Sequence, residues 1–256
     1  MRFGCCVPPE QIPIIADAGF DYCELPARAV QPFADEPAAM PALRELDAAP
    51  LRPEAFNVLV PSEFPLVGPA ADLDALRTYL RRAFGRMVRL GGVVVVLGSG
   101  GARRIPEGMP REAALDQLAD SLRVAADEAS NAGIELALEH LNRGESNVFN
   151  RIDECQAFIE DRGLTGLRLL ADLHHLELEH EPPASVVAAA PLLAHAHVAD
   201  GGRRAPGHGG YDYAGFMRAL ETAGYDRRIS AECRWEDLQT EAPGALAYMR
   251  EAWEKR

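Results

Sequence analysis

Short apolar runs alternate with longer amphipathic stretches along the whole chain, the pattern of repeated strand–helix units around a parallel sheet. The runs predict strands near Phe3–Cys6, Tyr22–Leu25, Ala55–Val60, Gly92–Leu97, Glu135–Glu139, Leu167–Asp172, Ala194–Ala199 and Ile229–Glu232. Val93 to Leu97 are apolar without a break, as expected of a strand buried on both faces. Between the runs, Leu73–Leu90 carries Leu73, Leu76, Leu80, Phe84, Met87 and Val88 at helical spacing. Ala113–Ala132 repeats that spacing and stops before Gly133, a residue suited to the left-handed end of a helix. Tyr213–Ala223 stops in the same way at Gly224, and Ala242–Trp253 is the last helical stretch. Pro26–Arg52 is rich in proline and alanine, and its periodicity sets no boundary.

Eight strands and seven or eight helices in 256 residues predict an α/β protein, a single (β/α)8 TIM barrel occupying 1–256 as one domain. The competing architecture, a doubly wound open sheet, is expected to carry a glycine-rich phosphate loop after its first strand. Here the first strand runs into Cys5-Cys6-Val7-Pro8-Pro9 instead. Gly98-Ser99-Gly100-Gly101 follows the fourth strand but lacks the spacing of a nucleotide motif.

Charge narrows the function classes. The formal net charge is −13, whereas a protein that neutralises phosphates is normally basic in its binding domain. Nucleic acid and anionic membrane are therefore not expected as partners, and a small-molecule substrate is. No apolar run approaches the ~18 residues that span a bilayer. The start, MRFGCCVPPEQ, is interrupted too early by proline to read as a signal peptide. Five cysteines without regular spacing form neither a disulfide framework nor a zinc ribbon. A cytoplasmic enzyme is the expectation.

In a barrel of this kind functional groups stand at the C-terminal ends of strands. The last four strand ends read Leu138-Glu139-His140, Ala171-Asp172-Leu173, His195-Ala196-His197 and Ala231-Glu232-Cys233. Glu139, Asp172, His197 and Glu232 are separated by 33, 25 and 35 residues, each about one strand–helix unit. Three carboxylates and one imidazole aimed into one cavity would repel without a cation, so the four are expected to bind one divalent metal. An oxygen-rich donor set with one nitrogen favours Mn²⁺, with Mg²⁺, Co²⁺ and Zn²⁺ as alternatives.

At these residues the chain resembles the xylose-isomerase-like barrel superfamily, ketose 3-epimerases above all. Glu139-His140-Leu141-Asn142-Arg143 resembles their Glu-x-x-Asn-Arg, Asp172-Leu173-His174-His175 their Asp-x-x-His, and His195-Ala196-His197 their His-x-His. Gly224-Tyr225-Asp226 leading to Glu232 resembles their final strand. Hydroxypyruvate isomerase is similar but has Gln at the seventh-strand metal position. The resemblance spans roughly Glu139 to Arg234 and implies an isomerase or epimerase of a small sugar or polyol ketone. Proton transfer would run through a metal-stabilised enediolate, with Glu139 and Glu232 as the acid–base pair on opposite faces. It further implies that Glu145, His175 and Arg203 bind substrate, and that the chain forms a homo-oligomer, as many members are dimers or tetramers.

Plainer readings stand beside these. A lone strand-end carboxylate is most often a surface group, and it is the register of four that argues for a site. His175 also fits a loop cap; Arg203 with Arg204, and Glu145, also fit solvated loops. His195 is expected to pack or hydrogen-bond beside the barrel, or to support the site from behind. His174, His180 and His208 read as surface groups, Glu24 and Asn57 as lining of the pocket, and Trp235 as a pocket wall or simple packing. Rival functions are a dehydratase or C-glycoside-cleaving lyase on the same barrel, an endonuclease IV-like barrel that would need more histidines and a basic face, and a non-catalytic metal-binding subunit.

Overall fold

A computed structural model describes residues 1–256. Eight parallel strands close into a barrel in sequence order: β1 (Arg2–Cys6), β2 (Tyr22–Pro26), β3 (Pro53–Asn57), β4 (Val94–Leu97), β5 (Glu135–Glu139), β6 (Leu167–Asp172), β7 (Leu193–Val198) and β8 (Arg228–Ala231). Around it lie nine helices: α1 (Ile12–Asp17), α2 (Glu36–Asp47), α3 (Leu73–Leu90), α4 (Arg111–Ala132), α5 (Ile152–Asp161), α6 (Leu173–Leu178), α7 (Ala184–Ala188), α8 (Tyr213–Thr222) and α9 (Leu238–Glu254). The barrel expected from the alternation of apolar runs is the one formed.

The long helices begin and end where local chemistry dictates. Asp72 caps α3, its carboxylate accepting from the N–H groups of Asp74 and Ala75, and Gly91 ends that helix in the left-handed region. Gly133 closes α4 in the same way, at φ 74°. The expected third strand overran: it stops at Asn57, because Val58 turns left-handed at φ 44°. The proline-rich stretch after β2 contains a short 3₁₀ turn (Ala27–Val30) and α2. Buried Arg86 of α3 fixes it, donating to the carbonyls of Val30 (3.1 Å) and Ala34 (3.0 Å) and pairing with Glu36 at 3.2 Å.

Alternate strand residues point inward. Tyr22, Ala55, Val94, Val96, Ala137, Leu170 and Ala194 fill the barrel as a cluster of their own. One layer above, at the C-terminal mouth, the inward positions are Cys6, Asn57, Gly98, Glu139, Asp172, His197 and, just past β8, Glu232. Gly4 makes room for the Tyr22 ring, which approaches to 2.2 Å of where a methyl group would stand. Tyr22 then reaches across to Ser230 at 2.8 Å.

Gly4→Ala therefore overpacks the barrel interior. It is expected to cost about 1–3 kcal/mol of stability, read as a lower midpoint in chemical denaturation with unchanged slope. An unaltered midpoint would mean that the Tyr22 ring is free to move aside.

Candidate metal centre

Strand register assembles the four predicted ligands. Asp172 pairs with His197 across β6 and β7, and His197 with Ser230 across β7 and β8. Glu232 is held by its own N–H, which donates to Val198 at 3.0 Å. One atom from each of Glu139, Asp172, His197 and Glu232 lies within 4.8 Å of all the others. His197 Nδ1 stands 3.7 Å from Glu139 Oε1, 3.9 Å from Asp172 Oδ2 and 3.7 Å from Glu232 Oε2. Donors about 2.1 Å from one octahedral ion lie roughly 3 Å (neighbouring) to roughly 4.2 Å (opposite) apart, so these spacings admit one cation.

The polar atoms left over mark the same point. Glu139 Oε1, His197 Nδ1 and His175 Nε2 are all buried and have no hydrogen-bond partner, although buried polar atoms are nearly always paired. Two carboxylates 4 Å apart repel by about 4 kcal/mol at an effective dielectric of 20. Three such pairs would outweigh much of the roughly 5–15 kcal/mol that holds a domain folded. A divalent cation at the common centre offsets this repulsion and gives the unpaired atoms a partner, so the donor set fits one.

Each ligand is oriented from behind. Asp172 caps α6: its Oδ1 accepts from the N–H of His174 (2.6 Å) and of His175 (3.3 Å), leaving Oδ2 for the centre. Burial alone would raise its pKa, but His175, His197 and Arg203 hold it below the usual carboxylate range. Burial raises that of Glu139. Glu139 also closes over Gly98, where a methyl group would stand 2.1 Å from Oε2. Beneath it, fully buried Arg103 donates to the carbonyls of Glu139 (2.7 Å) and Leu97 (3.3 Å), tying the ends of β4 and β5 together.

His197 rests on Glu24. Its Nε2 lies 2.9 Å from Glu24 Oε1, while His195 Nε2 (2.7 Å) and the Ser230 hydroxyl (2.6 Å) take Oε2. Burial opposes the Glu24 charge, yet the two imidazoles hold its carboxyl well below the usual range. This is the carboxylate–histidine–metal arrangement, which fixes the tautomer so that Nδ1 faces inward as a donor. Glu24 thus lies under the site instead of lining the pocket, and His195 supports it from behind.

The expected substrate-binding residues gather above the centre. His175 Nε2 is 3.7 Å from Glu139 Oε1 and 3.8 Å from Asp172 Oδ2. Its Nδ1 accepts the Asn142 backbone N–H at 3.2 Å, which leaves the ring proton on Nε2, facing the cavity. Arg203, in left-handed backbone at φ 61°, bridges Glu232 and Glu145, the latter at 3.0 Å. Glu145 also accepts from the Asn142 side chain at 3.0 Å.

Three readings of the sequence need revision. His174 is buried and hydrogen-bonded to Tyr211 at 2.9 Å instead of lying on the surface. Arg103 and the tautomer-setting Asn142 had no assigned task, because carbonyl partners leave no trace in sequence. His180 and His208 are exposed as expected.

The family model of the xylose isomerase-like TIM barrel matches residues 12–252. The chain belongs to this family. A D-psicose 3-epimerase of Agrobacterium fabrum is 33% identical over 108 residues, 42% of this chain and 37% of that protein. A 3-dehydro-D-guloside 4-epimerase of Escherichia coli is 29% identical over 136 residues, 52% of each chain. The matched stretches thus span from about a third to about half the length of these xylose isomerase-like relatives. A D-psicose 3-epimerase of Clostridium cellulolyticum H10, solved with D-tagatose, superposes with a TM-score of 0.84 at 20% identity over 99% of both chains, which establishes likeness of fold.

If Glu24 holds the His197 ring, Glu24→Gln should weaken Mn²⁺ binding about 10–100-fold without unfolding the barrel. Calorimetric titration of the metal-free protein with circular dichroism as control reads this. Unchanged affinity would leave Glu24 a purely structural residue.

Proposed function

We propose that this chain is a divalent-metal-dependent isomerase or epimerase of a small sugar or polyol ketone. The observation that carries the reading is the convergence of Glu139, Asp172, His197 and Glu232 on one point, with two of the carboxylates coming from β5 and the end of β8. Relatives named as sugar 3- and 4-epimerases support it. Three hard oxygens and one imidazole favour Mn²⁺, with Mg²⁺ or Co²⁺ as substitutes.

A cation held there supplies Lewis-acid polarisation of a carbonyl oxygen. The chain supplies the proton traffic. Glu139 and Glu232 approach the centre from strands on either side of β6 and β7, so a carbon placed between them meets one carboxylate on each face. One takes the proton next to the carbonyl and the other returns one. Return to the opposite face of the same carbon inverts it, and this two-sided placement favours epimerisation over transfer to the neighbouring carbon. His175 presents its Nε2–H to a substrate oxygen. Arg203 and Glu145 hold hydroxyls further out, and the Arg203 charge lies beside Glu232 to favour its ionised form.

Two outcomes are expected. The purified protein binds about one Mn²⁺ per chain by elemental analysis, and a chelator removes it together with activity. With metal bound, Glu139→Gln and Glu232→Gln each lower exchange of substrate carbon-bound hydrogen in D₂O by about 10²–10⁴-fold, the usual share of acid–base catalysis. Full exchange in either variant would remove that residue from the proton path.

A further inference from the structure

The mouth of the barrel is divided. All four convergent donors stand on β5 to β8, whereas the inward positions of β1 to β4 are Cys6, Asn57 and Gly98, all uncharged, with Pro26 ending β2 beside Asn57. Over this neutral half opens a cavity of about 770 Å³, bounded by Pro26, Pro32, Phe33, Val58, Pro61 and Ser62. That volume lies within the roughly 300–1,000 Å³ of pockets that enclose whole drug-sized ligands, more than one small sugar needs. The turn after β4 joins it to the metal centre. A methyl group on Gly98 would meet Glu139 Oε2 at 2.1 Å, one on Gly100 the Glu145 carbonyl at 2.8 Å, and one on Gly101 the Ser62 hydroxyl at 2.3 Å.

The walls carry two features that folding does not explain. Phe33 and Val58 are 60% and 50% exposed. Val58 is also left-handed, at φ 44°, a conformation that β-branched residues rarely take and that collects at functional sites. Both are held firmly. Arg86 pins the segment bearing Phe33 through the Val30 and Ala34 carbonyls, and the ring leans on Tyr79 at 4.8 Å between centroids. Two residues beyond Val58, the Val60 N–H donates to Ser99 at 2.9 Å. The structure thus spends strain and exposed apolar area to build a fixed wall at the metal-free side of the mouth.

We propose that this cavity is a second subsite that receives a flat, apolar aglycone, so that the preferred substrate is a keto-glycoside with its sugar at the metal and its aglycone against Phe33 and Val58. The inference rests on reading the metal centre as the sugar site. An aromatic or alicyclic group suits the wall better than a second sugar ring, because prolines offer no N–H and the exposed faces are apolar. Arg28 and Glu63 at the edge have no ion-pair partner, leaving room for a polar substituent at the far end.

Phenyl and methyl β-D-glucopyranoside lack the ketone, so they report binding alone when titrated into the Mn²⁺-loaded protein by calorimetry and saturation-transfer NMR. The phenyl compound is expected to bind about tenfold tighter or more, the affinity gained by burying one ring. Phe33→Ala and Val58→Asn should each erase that preference and leave methyl glucoside binding unchanged. Asparagine tolerates left-handed backbone, so Val58→Asn should keep or raise the melting temperature, which separates loss of contact from loss of fold. Equal or undetectable binding of the two glucosides overturns the proposal. So does cellobiose binding as tightly as the phenyl compound, or a Phe33→Ala variant that changes oligomeric state and not glucoside preference. Because these probes do not react, failed binding with intact deuterium exchange refutes only the subsite, and failed exchange leaves the binding result standing.

Discussion

One buried carboxylate organises the centre of this barrel. Glu24 reaches from β2 across the interior and takes hydrogen bonds from both histidines of β7 and from Ser230 of β8. An ionised group in that position would be costly if any of these partners were missing. With all of them present, it turns the inner nitrogen of His197 toward the three acidic side chains. Tyr22 completes the chain through Ser230, and Gly4 is required for Tyr22 to fit. Strand register, interior packing and the direction of one imidazole nitrogen are therefore parts of a single arrangement.

The centre above it is a balance of repulsions. Without a cation, Arg203 serves as partner to both Glu232 and Glu145. Glu139 and Asp172 have no such cation in contact and depend on burial partners and on the start of α6. The contrast in their environments follows: Asp172 is held ionised by neighbouring imidazoles and two N–H groups, while burial pushes Glu139 toward its neutral form. A positive ion at the shared point relieves the second without disturbing the first.

Much of this was legible in the sequence, because it rests on periodicity and position. The strand β5 was bounded correctly by its apolar run, and the carboxylate at its end follows from the two-residue alternation. The ligand set was legible for the same reason: four strand ends spaced by whole strand–helix units had to face one mouth. Val58 was not legible, since a β-branched residue reads as strand continuation and nothing local announces its left-handed turn. Glu24 was visible as a strand-end acid, but its partners lie 171 and 173 residues away, and only closure of the barrel brings them together. Arg103 binds carbonyls, which every residue possesses and no motif records. His174 looked like a surface group because its partner, Tyr211, lies on a distant loop.

The contact that sets the His175 tautomer comes from the peptide N–H of residue 142, not from a side chain. Mutation can replace the asparagine with eighteen other residues and that donor survives; only proline deletes it. The protonation pattern of the cavity-facing imidazole is thus encoded in the course of the main chain, where ordinary sequence drift cannot erase it.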